Sequence, residues 1–231
     1  IVIGLIIYIS NIRKKQAQLK QNILKQQVLR AQMSPHFIFN ILGSIQNFML
    51  QNDTRKASNF LTLFASLMRN TLHNSAVETI SLTDEINMLK NYIELEQMHK
   101  GDKFDYEIHF DQDLETDLIL IPPMLVQPFI ENSIKHGFEG LGHKGLLRVQ
   151  ITDKNDWVEF VIEDNGIGIQ QNNEGSKNHQ SMAMTIFEKR RKLIEQKHKK
   201  DFKFEMVNLN DINPIHSGVK TTINIPILNH D

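Results

Sequence analysis

There is no cysteine in the 231-residue sequence. That excludes a disulfide scaffold and any metal held by thiolates, and it fits a reducing compartment. There is no charge imbalance either. The formal net charge is -1, so nothing in the total points to nucleic acid, and no such partner is expected. The apolar run that opens the chain, Ile1 to Ile9, spans nine residues. A bilayer crossing needs about 20. Arg13, Lys14 and Lys15 follow shortly after it, and an apolar run ending in a basic cluster resembles the cytoplasmic exit of a transmembrane helix. A cut signal peptide or a buried strand has similar composition. The truncated helix is the preferred reading of residues 1–10, because the chain beyond Lys15 has a cytoplasmic character.

Hydrophobic residues make up 40% and charged residues 23% of the chain, enough for a core of normal size. The length suits one large domain or two small ones. Residues 11–34 contain neither Gly nor Pro and are rich in Gln, Lys and Leu, which predicts a helix. Leu24, Val28 and Ala31 extend a seam along it that suits a partner helix, or one face of a lone amphipathic helix. Pro35 is expected to kink this helix just before His36. The apolar pattern resumes at Phe37 and continues through Met49. After a polar turn at Gln51–Asp53, a second helix is expected from about Thr54 to Leu72, with Phe60, Phe64, Leu67 and Met68 facing inward. A hairpin this apolar needs further helices to cover it, and dimerisation into a four-helix bundle supplies them.

The polar stretch His73–Thr79 separates this hairpin from the rest. Ser81 with Asp84 resembles a capping box and opens a helix to about His99. Phe104, Tyr106, Ile108 and Phe110 alternate with polar neighbours, as in a strand. Pro122 and Pro123 predict a strand stop and a helix start, the helix running to about His136. Strands are expected at Leu147–Thr152, Trp157–Glu163, Phe202–Asn208 and Val219–Pro226, with a helix over Ser181–Lys197. This order predicts an α+β sandwich behind the helical hairpin.

Three clusters carry chemistry. The first is Ser34–Asn40, around His36. A neutral imidazole on a bundle helix can attack phosphorus, since its ordinary pKa is about 6.5. Equally, a lone His is often only structural. The second is Pro128–Gly137. Asn132 offers a hard oxygen for Mg²⁺, Lys135 a mobile positive charge for phosphate, and His136 a further donor. The same residues also describe a polar helix end closed by Gly137. The third is Glu163–Ile169. A carboxylate at this strand end can accept from the exocyclic amine of adenine and reject guanine, while Gly166 and Gly168 permit a sharp turn and a close approach. A plain Asn-Gly hairpin turn fits those residues too.

Taken together and in order, these segments resemble the LytS/YehU-type sensor histidine kinases. Pro35–Asn40 is similar to that family's phosphoacceptor box, Pro122–Gly137 to its N-box, and Glu163–Ile169 to its first glycine box. Ser81–Met98, with Leu82, Glu85, Leu89, Tyr92 and Glu94–Glu96, is similar to the segment between them. The resemblance runs from about Gln16 to the C-terminus, behind the expected end of a truncated transmembrane helix at 1–10. It implies dimerisation and phosphoacceptor helices over 11–73, a hinge at 74–80, and an ATP-binding domain of the GHKL superfold over 81–231. His36 takes the phosphate. Asn132 binds Mg²⁺ and bridges it to ATP, Lys135 and His136 line the phosphate path, and Asp164, Gly166 and Gly168 form the adenine pocket. Residues 165–180 are expected to form a lid over ATP. The implied partners are a second copy of the chain and a response regulator, of the LytTR type. The implied location is the bacterial cytoplasmic membrane, with this region facing the cytoplasm.

The pattern departs from the family at one point and differs from related proteins at two more. Ser176–Met184, where a second glycine box is expected, has no glycine. Pro128 stands four residues before Asn132, where related ATPases carry the Glu that activates water; this favours transfer to His36 over hydrolysis. Phe37, which fits the family, comes directly after His36, where many other histidine kinases have an acid, so the general base is unassigned. The alternative function is an ATP-binding signalling scaffold with weak or no kinase activity. An ATPase that does not phosphorylate itself is disfavoured by the complete His36 segment.

Overall fold

The structure, a computed structural model, describes residues 35–101, 103–111, 114–169, 182–200 and 202–228, together with Tyr8, Ile12 and Lys15. Nearly all of the expected membrane exit and of the helix over 11–34 that leads to Pro35, most of the lid, and residues 176–181 of the second glycine box lie outside the described residues. Among the described residues, no helix is long and apolar enough to cross a membrane.

Helices α1 (Pro35–Leu50) and α2 (Thr54–Ala76) form the expected hairpin. Asp53 caps α2: its carboxylate accepts from the Lys56 amide at 3.0 Å and pairs with the Lys56 ammonium at 3.2 Å. A negative group at a helix N-terminus satisfies an orphan donor and opposes the helix dipole. Between the helices Ile41, Phe60 and Leu67 are buried, and Phe48 meets Phe60 edge-on at 5.6 Å. Phe64 and Met68, expected inside, are only half-buried.

α2 runs four residues beyond Leu72, so the polar stretch after it shrinks to Val77–Thr79. Strand β1 (Ile80–Ser81) comes next and pairs antiparallel with β3 (Leu120–Ile121). Ser81 then caps α3 (Leu82–Lys100), accepting from the Asp84 amide at 3.1 Å. α3 ends at Gly101, whose φ of 64° suits a C-cap. Buried on nearly every turn, from Leu82 through Ile86, Leu89, Ile93 and Leu95, it packs between α2 and the sheet domain.

The main sheet has five strands in the order β2 (Phe104–Phe110), β4 (Gly145–Asp153), β5 (Trp157–Asp164), β7 (Val219–Pro226), β6 (Lys203–Asn208). β2 and β4 are parallel, and the other neighbours are antiparallel. A parallel pair needs a crossover. Here it carries β3 and α4 (Gln127–Asn132), and α4 passes directly into a π-helical turn over Ser133–Gly137. Period-two burial puts Leu147, Val149 and Ile151 of β4 beside Val158, Phe160 and Ile162 of β5 and Ile223 and Ile225 of β7. Helices α4 and α5 (Met182–His198) join this layer through Phe129, Phe187 and Phe204, whose rings lie 4.9–5.2 Å apart. A short helix, α6 (Leu209–Ile212), links β6 to β7. This is the expected α+β sandwich.

A further boundary also differs from expectation. The helix predicted to begin at Pro122–Pro123 begins at Gln127. The intervening segment is buried in an irregular conformation, with Met124 at φ 56°. The Glu85 carboxylate accepts the Met124 amide at 2.9 Å, and Arg190 donates to the Met124 carbonyl at 3.2 Å. Both backbone groups of Met124 thus have partners on α3 and α5, which offsets the strain of a left-handed residue.

Candidate functional site

The alternation of β5 carries one carboxylate into the core-facing row. Val158, Phe160, Ile162 and Asp164 occupy its buried positions in turn. Asp164 is only 3% exposed. Burial pushes its carboxyl up from the usual range, and three donors oppose that shift by favouring the ionised form. Ser133 Oγ donates to Oδ2 at 2.6 Å. The amides of Gly166 and Val219 donate to Oδ1 at 2.9 and 3.2 Å. The donors come from the π-turn, the turn after β5, and the start of β7.

The glycines explain how these segments come so close. A Cβ on Gly166 would lie 2.4 Å from the carbonyl oxygen of Gly137, which also accepts from the Ile167 amide at 3.0 Å. Gly166 is thus needed for backbone-to-backbone packing, not for a turn alone. Gly168 does have a positive φ, 77°, and backs onto the Asn208 side chain, which accepts from the Ile169 amide at 2.6 Å. Gly218 lies so close to the Asp164 carbonyl that a Cβ would fall 1.8 Å from it. Asn165 is no simple hairpin residue: its Oδ1 accepts from the Leu146 amide at 2.6 Å and ties the turn to β4.

The phosphate-facing candidates lie on the other side of Ser133. Asn132 ends α4 half-buried, and His136 is exposed on the π-turn. Lys135 is ion-paired with Glu131, one helical turn back. It also faces Glu96 on α3, whose carboxyl is pushed up by burial while the Lys135 charge opposes the shift. Lys100 donates to the Ile134 carbonyl at 2.6 Å, satisfying an acceptor of the π-turn. Asn132, Lys135, His136, Asp164 and Gly166 therefore belong to one locality, held by Ser133 and Gly137, with Gly168 two residues further along its turn.

His36 falls on α1, outside that locality, and its side chain is not among the described ones. It lies eight residues before Ser44, about 12 Å along a helix. Ser44 Oγ meets His99 Nδ1 at 2.5 Å, which links α1 to the end of α3 beside Lys100. Sequence reasoning missed Ser133, Gly218 and Val219. Only the lone glycine before a strand gave any signal for the last two.

Residues 24–104 match the family model described as Histidine kinase, and residues 123–207 match the one described as Histidine kinase-, DNA gyrase B-, and HSP90-like ATPase. The sensor protein LytS of Oceanobacillus iheyensis is 35% identical over 172 residues, 73% of this chain and 29% of that protein. That of Staphylococcus epidermidis is 32% identical over 166 residues, 71% of this chain and 28% of that protein. This chain belongs to the LytS-type histidine kinases. It spans less than a third of the length of those curated relatives. The ATPase match makes the second half an ATP-binding domain of the GHKL kind. Among solved structures, the histidine kinase domain of Erythrobacter litoralis EL346 blue-light activated histidine kinase covers 90% of this chain and 94% of its own, at 15% identity and a TM-score of 0.47.

Among the described residues, no group of three or more His, Cys, Asp or Glu side chains could hold a metal ion. Asn132 offers a divalent cation a neutral carbonyl oxygen, and the phosphates of a nucleotide would supply further oxygens. That donor set fits Mg²⁺, which keeps several non-protein ligands.

Proposed function

We propose that this chain is the dimerising and catalytic region of a membrane-bound sensor kinase that moves the γ-phosphate of ATP to His36. The observation that carries the reading is the buried Asp164 carboxylate, held by three donors at the edge of a locality that also holds Asn132 and Lys135. Asp164 accepts the adenine amine, and the Gly137–Gly166 contact keeps the floor of the pocket free of side chains. Mg²⁺, when bound, neutralises phosphate charge, and Asn132 offers it an oxygen. Lys135 exchanges Glu131 for phosphate oxygens, with His136 as a further donor.

Phosphoryl transfer depends mostly on positioning and charge neutralisation. A neutral imidazole nitrogen of His36 attacks the γ-phosphorus in line. The bond from phosphorus to the β,γ-bridging oxygen breaks, ADP leaves with its electron pair, and the second ring nitrogen releases its proton. Phosphohistidine then passes the phosphoryl group to an aspartate of a response regulator, of the LytTR type. Residues 81–231 swing on the segment within 74–80 to reach the helices of 11–73. Phe39, Leu42, Met49, Leu50 and Leu61 are exposed on the hairpin. Their exposure supports a homodimeric four-helix bundle in which a second copy covers them. The region faces the cytoplasm from the bacterial inner membrane.

A second reading, an ATP-binding scaffold with weak or no kinase activity, is favoured by the glycine-free Ser176–Met184 segment. The variant Asn132→Ala separates the two. In a kinase it abolishes Mg²⁺-dependent labelling from γ-labelled ATP while the melting curve stays unchanged. Equal labelling of both proteins contradicts the metal role of Asn132.

A further inference from the structure

The proposed adenine reader is itself oriented by a residue that no motif singled out. Asp164 ends a row of core-facing side chains, and its carboxylate has about four lone-pair sites. Two sites on Oδ1 are taken by the Gly166 and Val219 amides. One site on Oδ2 is taken by the Ser133 hydroxyl at 2.6 Å. One acceptor site on Oδ2 is left, next to a wall formed by glycine: a Cβ on Gly137 would lie 3.4–3.6 Å from the carboxylate atoms. We propose that Ser133 is the specificity-determining positioning residue of this site. Its hydroxyl fixes Oδ2 so that a single acceptor faces the base and selects a purine bearing an amine over one bearing a carbonyl. The inference rests on the adenine-binding reading of Asp164.

The two amides on Oδ1 belong to the backbone and persist in any variant. Ser133 is the one side-chain donor in the set, so it alone can be removed without moving a strand. Without it, Oδ2 has two open acceptor sites, the carboxylate is free to tilt, and its charged form loses a donor. A buried carboxyl that loses a donor protonates more readily. Its protonated form can donate to the guanine carbonyl. Both changes weaken ATP and relax the discrimination against GTP.

The test is direct binding of ATP and GTP, each with Mg²⁺, to the full chain across pH 5–8. The proteins are wild type, Ser133→Ala, Ser133→Thr and Asp164→Asn. Ser133→Ala is expected to lower the ATP-to-GTP affinity ratio about tenfold, equal to about 1.4 kcal/mol. Its ATP binding is also expected to fail at a higher pH on acidification than in wild type. Ser133→Thr, which keeps the hydroxyl, restores both. If Ser133→Ala fails to fold, Ser133→Cys keeps the size with a much weaker donor and carries the same comparison. An unchanged ratio and pH profile in the Ala or Cys variant, with Asp164→Asn losing the ratio, overturns the role of Ser133 and leaves the role of Asp164 standing. A wild type without preference, or an Asp164→Asn that retains it, overturns the adenine reading and this inference with it.

Discussion

Gly137 and Gly166 touch backbone to backbone: a Cβ on Gly166 would sit 2.4 Å from the Gly137 carbonyl oxygen. This contact joins the π-turn that carries Lys135 and His136 to the turn just after Asp164. Gly166→Ala forces the two turns apart, because backbone on both sides cannot yield as a flexible side chain would. Overpacking of this kind costs about 1–3 kcal/mol. We expect a lower melting temperature and a loss of ATP affinity larger than the loss of stability explains. Titration with ATP alongside thermal melts checks this.

Glu85 gives the fold a specific pH dependence. Burial pushes its carboxyl up to about 7, against the Met124 amide and the Arg190 guanidinium. An acid whose folded pKa is raised binds more protons folded than unfolded between about 4.5 and about 7. Stability from this group is therefore greatest at acid pH, falls as pH rises through that window, and levels off above it. The span is on the order of 3 kcal/mol. Glu85→Gln keeps an acceptor for Met124 but removes the titration. Denaturant unfolding at pH 5 and pH 8 should show the gap between variant and wild type shifting in favour of Gln at the higher pH. An equal gap at both values contradicts the account.

The exposed apolar residues of the hairpin predict an assembly. Leu42→Glu combined with Leu61→Glu should yield a monomer by light scattering. Both side chains are half exposed in the isolated chain, so the fold itself should melt within a few degrees of wild type. A dimer that survives both charges contradicts the four-helix bundle.

Periodic elements were legible in the sequence because their signals are local. The polar turn ending at Asp53 and the capping pair Ser81 and Asp84 marked helix starts, and the alternation from Phe104 to Phe110 marked a strand. Asp164 stood out as a carboxylate at a strand end followed by two glycines. The start of α4 was misplaced because its determinants are remote: Glu85 and Arg190 lie 39 and 66 residues from Met124. Pro122 and Pro123 suggested a helix, and only the tertiary clamp on Met124 delays it. Ser133 was hidden for the same reason. A serine beside Asn132 has no signature until β5 brings a carboxylate against it. Gly166 was read for a sharp turn and a close approach, and the structure gives that approach to the Gly137 backbone, a pairing of two motifs that neither shows alone.

The central claim is that His36 accepts phosphate from ATP, and one labelling experiment tests it most directly. Wild type and His36→Ala are incubated with γ-labelled ATP and Mg²⁺, then treated with acid and with alkali. Label that acid removes and alkali spares is expected on wild type, with none on His36→Ala. Label that persists in the variant, or a dimer that binds ATP and takes none, contradicts the claim.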